Sequence, residues 1–287
     1  MRASLALSIL AVTPTSALAT TASAAENAGR FNDPIVGPVV AALLAWYAIG
    51  LVQMLRRAQG KWPVGLPRVL CFSGAVLVIA IVLLSPLDAL GDDYFSIHML
   101  QHLTLMLVAA PLVAMSDAHL VLLRAFPLSL RRDIGRTVAN IPGAKFAAHK
   151  KSAAWIATSL FVGTLWFWHV PAAYDWALDD EVVHACEHLT LLAAATFFWR
   201  VIVTSGNRRL NPGTAVLLVS LVGIQGALLS ALLMFAPHGL YSAYAGNPLD
   251  DQVTAGVLMC IPASFVYLGS SVWALARMIG GRRSHVR

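Results

Sequence analysis

The sequence predicts an all-α integral membrane protein, a bundle of seven transmembrane helices preceded by a signal peptide. Three observations carry this. The 287 residues are 58% hydrophobic and only 12% charged, with a mean hydropathy of +0.72. Soluble domains run near ~25% charged, so this chain would coat its own surface with apolar groups unless lipid were its solvent. Second, seven apolar runs each approach the ~20 residues that cross a hydrocarbon core as a helix. Third, none of them alternates apolar and polar residues as a membrane β-strand does.

Residues 1–24, "MRASLALSILAVTPTSALATTASA", combine one arginine, a short apolar stretch and small residues ending in Ala22-Ser23-Ala24. That is the pattern of a cleavable secretory signal. The remaining 25–287 form one transmembrane domain. Its apolar runs cover about 35–55, 67–84, 97–116, 153–171, 183–203, 213–236 and 252–278. The segment 117–152 is the only long loop. Its "HLVLLRAFPLSLRRDIGRTV" mixes leucine with arginine, as broken amphipathic helices lying along a membrane surface do.

Charge sets the expected orientation. Arg56, Arg57, Lys61 and Arg68 share one set of loops with the 117–152 cluster, with Arg200, Arg208 and Arg209, and with the C-terminal arginines. Loops 85–96, 172–182 and 237–251 hold no lysine or arginine; they carry Asp88, Asp92, Asp93, Asp175, Asp179, Asp180, Glu181, Asp250 and Asp251. Basic loops stay cytoplasmic. The expected location is therefore a bacterial inner (plasma) membrane, with the mature N-terminus outside and the C-terminus cytoplasmic. The net charge of +6 describes topology and gives no support to nucleic-acid binding. Membrane lipid is the expected surrounding. Cys71, Cys186 and Cys260 fall at different depths and read as small packing residues, not a disulfide framework.

Of nine histidines, His119, His149 and His285 fall on the basic side. His98, His102, His169, His184, His188 and His238 all fall on the other. His98 and His102 stand at i and i+4, as do His184 and His188, so each pair lies on one helix face. Met106 extends the first stripe by one more turn. Glu187, within "HACEH", is an acidic residue well inside a span, where a carboxylate is costly unless it meets a cation, a histidine or a metal. Trp166, Trp168, Tyr174, Trp176, Tyr241 and Tyr244 are expected to form an outer aromatic belt. Asp250 or Asp251 is expected to cap the last helix.

The pattern nominates His98, His102, His169, His184, Glu187, His188 and Met106 as a metal site. Imidazole suits zinc, copper, iron and nickel, and a nearby thioether favours copper(I). Copper is the first expectation, with zinc and iron open. Other readings are a haem- or metal-dependent membrane redox enzyme and a metal permease. The string "HACEH" also matches the H-x-x-E-H of inverted zinc peptidases, which leaves the histidines of the third run unexplained.

Three ordered motifs carry a family resemblance: "SPLDAL…YFSIHMLQHLTLMLVAAPL", "LWFWHVPAAYDWAL…VHACEHLTLLAAATFFW" and "GALLSALLMFAPHGLYSAY…DDQVTAGVLMCIPASFVYL". Over about 85–275 the chain resembles the CtaG family of multi-span cytochrome c oxidase assembly proteins associated with caa-type oxidases. The resemblance implies that His98, Gln101, His102, His169, His184, Glu187, His188, Asp251 and Gln252 are the family's signature polar positions. It implies copper handling for the outward-facing dinuclear copper centre of a haem–copper oxidase. The implied partners are oxidase subunits or other copper chaperones, and the implied role is assembly, with enzyme status left open. One departure is "VAMSDAHLVLLRAFP", where a Gly-Pro-rich turn is expected.

Overall fold

The structure is a computed structural model describing residues 36–58, 64–140, 149–204, 210–244, 246 and 249–283. The expected signal peptide, 1–24, lies outside the described residues, as does 141–148 of the long loop. Every regular element among the described residues is helical. The expected apolar runs form α1 (Val36–Arg57), α2 (Leu66–Leu83), α4 (Phe95–Ser116), α9 (Glu181–Val203), α10 (Pro212–Phe235) and α11 (Leu249–Arg283). All six are long and apolar enough to cross a membrane.

The seventh expected span is bent. Lys150–Trp168 (α7) and Pro171–Asp179 (α8) meet at 74°, and the pair makes a seventh crossing only if it is one broken span. The break has a local cause. Pro171 starts α8, and Val170 before it is extended, with φ −68° and ψ 125°. A residue preceding proline is pushed out of the helical region, so the chain stops and restarts there. His169 sits in that break.

Short helices fill the loops: α3 (Pro86–Asp93), α5 (Ala118–Arg124) and α6 (Leu128–Asn140). The last two confirm broken helices within the 117–152 loop. Between α4 and α5, Asp117 takes a left-handed backbone, φ 52° and ψ 27°. Aspartate tolerates that region better than most side chains. It therefore replaces the expected glycine turn, and its carboxylate receives Arg200 and, at 3.1 Å, Arg68. This ion cluster ties the basic ends of α2, α4 and α9.

Of the six spans, α4 is the most enclosed and α1 the least. In α4, Leu105–Ala109 is a π-helical turn. Ala110 N–H reaches back to the Leu105 carbonyl, which leaves the Met106 carbonyl free; the buried Trp199 indole donates to it at 2.8 Å. Pro111, just beyond, has no N–H to continue the ladder. The wide turn and the indole together accommodate the proline. Met106 itself is packed in the main apolar core with Leu191, Phe198 and Trp199. At the periphery, Tyr47 of α1 stacks on Phe72 of α2 at 3.8 Å, and a Cβ on Gly50 would collide with the Val121 carbonyl of α5.

Candidate metal centre

The acidic loops converge at one end of the bundle and fix how α4 enters it. Asp251, at the start of α11, accepts from the backbone N–H groups of Phe95 (2.8 Å) and Ser96 (3.3 Å). The expected cap was on the last helix; Asp251 instead caps α4, a helix remote in sequence. Gln101 donates to the Val82 carbonyl (3.1 Å) and to Asp88 (3.0 Å), locking α4 against α2 and α3. Gln252 holds the segment after α10, accepting from Leu240 N–H at 2.8 Å and donating to the Leu233 carbonyl at 3.1 Å. These polar positions thus act as braces that aim α4, α10 and α11.

The braced face of α4 carries His98 and His102, and α9 presents His184, Glu187 and His188 to it. His98 Nε2 and His102 Nε2 lie 2.9 Å apart. The ring centroid of His98 is 5.2 Å from that of His184 and 5.8 Å from that of His188, and His102 is 5.0 Å from His188. Glu187 Oε1 stands 3.6 Å from His102 Nε2 and Oε2 3.8 Å from His98 Nε2. Those distances exceed hydrogen bonds. His98, His102, Glu187 and His188 are all buried, Glu187 only 1% exposed.

Ligand atoms of two sets lie within 4.8 Å of one another: His98, His102 and His188, and His98, His184 and Glu187. Glu187 Oε1 and Oε2, His102 Nδ1 and His188 Nε2 are buried without a hydrogen-bond partner. Orphaned buried lone pairs are expensive, and in a membrane interior more so. An ion bound at ~2.0–2.1 Å holds tetrahedral ligand atoms about 3.3 Å apart, close to the spacings here. The donor set therefore fits a metal cation.

His169, in the break between α7 and α8, is buried; its Nδ1 bonds the Leu165 carbonyl at 2.7 Å and its Nε2 has no hydrogen-bond partner. His238 is exposed and belongs to neither ligand set.

The expected aromatic belt is only partly found. Trp176 is exposed, and Trp166 is half-buried, donating to Gln225 at 2.7 Å. Trp168, Tyr174, Tyr241 and Tyr244 are instead buried. The three tyrosines pack round Phe95 as a roof, with Tyr174 5.3 Å from the His98 ring. Tyr244 donates to the Gly91 carbonyl at 2.6 Å and its hydroxyl lies 3.5 Å from His98 Nδ1. Burial raises the Tyr241 and Tyr244 hydroxyls above the ordinary phenol range, so both stay protonated. Asp175 holds the Tyr241–Tyr244 turn by accepting from Ser242 and Ala243. Hydropathy alone placed these rings at an interface; the polar residues interleaved in "LYSAY" and the adjacent Asp175 were the available signal for a folded-in loop.

The fold and the site together define a multi-span helical membrane protein in which imidazoles and one carboxylate, gathered beneath a tyrosine roof, could hold a metal ion. The chain matches the family described as cytochrome c oxidase caa3 assembly factor (Caa3_CtaG) over residues 45–280, and it belongs to that family. No curated protein and no solved structure matches it.

Proposed function

We propose that this protein binds copper at the His98/His102/His184/Glu187/His188 cluster and supplies it during assembly of a haem–copper cytochrome c oxidase. The observation that carries the reading is that His98, His102, His184, Glu187 and His188 bring ligand atoms within 4.8 Å of one another in two overlapping sets, with the Glu187 carboxylate oxygens and His188 Nε2 buried and without a hydrogen-bond partner. Copper is favoured because it heads the divalent affinity order at nitrogen and oxygen sites, and because a copper-containing oxidase is the family's client. His169 and Met106 are the additional candidate ligands, the latter as a thioether one turn beyond His102. The partners are oxidase subunits or copper chaperones.

The charge pattern supports a cytoplasmic basic end and an outward-facing cluster in a bacterial plasma membrane, with the mature N-terminus outside. Reporter fusions after Arg57 and Arg136 should then read cytoplasm, and fusions at Asp92 and Asp179 should read outside.

The test of function is metal analysis of the purified protein together with His102→Ala and His188→Ala in cells. Both variants should remain in the membrane while oxidase activity and oxidase copper content fall. Normal oxidase copper in both would sink the reading.

A further inference from the structure

The two ligand sets share His98, and its Nε2 faces a member of each. His98 Nε2 faces His102 Nε2, a member of the first set, at 2.9 Å, and Glu187 Oε2, a member of the second, at 3.8 Å. His98 Nδ1 is turned the other way, toward the Tyr244 hydroxyl. One nitrogen lone pair serves one ion at a time. The two sets are therefore alternatives, not two simultaneous sites.

They also differ in depth and donor type. His98, His102 and His188 are all buried and offer three neutral nitrogens. In the second set His184 is half-buried, one turn nearer the α9 N-terminus than His188, and Glu187 contributes a carboxylate. Glu187 also reaches toward the first set, with one oxygen toward each histidine of α4.

We propose that the cluster is a two-position relay for one metal ion, with His98 as the pivot ligand. The ion rests on His98, His102 and His188 and enters or leaves through His98, His184 and Glu187. In the outward step, bonds to Glu187 and His184 form as those to His102 and His188 break. His98 stays bound throughout, and no electron changes hands. The inference rests on the metal reading above and adds the route and stoichiometry.

The test uses the full-length protein in detergent, copper(I) as the ion and a chromogenic copper(I) chelator as acceptor. Wild type should bind one ion per chain. In His184→Ala, release to the chelator should slow at least tenfold. Uptake slows by a similar factor, because removing a transit position leaves the resting state in place. His188→Ala should instead weaken affinity at least tenfold and speed release. His184→Gln repeats the measurement if the alanine variant does not purify. Two ions per chain, or release in the His184 variants slowed by less than tenfold, overturns the relay while leaving copper binding intact. A wild-type protein that binds no copper overturns both.

Discussion

Replacing Glu187 with glutamine separates a metal ligand from a structural carboxylate, because the two roles predict opposite signs. Without metal, the Glu187 carboxylate makes no hydrogen bond, and its oxygens stand 3.6 and 3.8 Å from the nearest imidazole nitrogens. Glutamine has the same shape, removes a charge from a buried site and can donate its amide protons to neighbouring lone pairs. The apo variant should therefore be as stable as wild type or more so. With metal the sign reverses. Losing a coordinating or orienting carboxylate weakens metal affinity about 10–100-fold. At metal equal to 100 times the wild-type dissociation constant, binding stabilises wild type by about 2.7 kcal/mol. The same concentration is 10 to 1 times the variant's constant, so its stabilisation falls to about 1.4–0.4 kcal/mol. Thermal unfolding in detergent, with and without copper(I), reads both quantities. An apo variant that melts well below wild type, with an unchanged metal-induced shift, would refute the ligand role and leave Glu187 as a structural element.

Three further outcomes follow from the bracing around the site. Tyr244→Phe removes one hydrogen bond to the Gly91 carbonyl and should cost about 0.5–1.5 kcal/mol in apo unfolding, while metal affinity changes less than in Glu187→Gln. Asp251→Ala removes the cap on α4 and should destabilise by about 0.5–2 kcal/mol; Asp251→Asn, which keeps an accepting oxygen, should recover most of that loss in the same unfolding assay. Gly50→Ala pushes a Cβ into the Val121 carbonyl and should destabilise by about 1–3 kcal/mol through overpacking. Its metal titration should match wild type, since α1 packs on α2 and α5 and not on the cluster.

The sequence by itself determined the membrane architecture and the identity of the candidate ligands. Composition and run length are local quantities, so the six spans and the apolar run of α7 could be read directly, whereas the 74° break and α8, in a segment expected to be loop, could not. The i,i+4 pairs His98/His102 and His184/His188 were legible for the same reason: helical period places them on one face whatever the neighbours are. Tertiary structure decided what those faces meet. Only packing brings α4 against α9 so that Glu187 falls between two imidazole pairs, and only the trans cap from Asp251 sets the depth at which α4 begins. Hydropathy assigned Tyr174, Tyr241 and Tyr244 to an interface, because a ring carrying a hydroxyl suits a membrane surface and a buried roof equally well. Which of the two it occupies depends on whether a remote residue holds its loop inward, and here Asp175 does so. Sequence periodicity records which side of a helix is polar, whereas the distance between two polar faces is fixed by long-range contacts that no local pattern encodes.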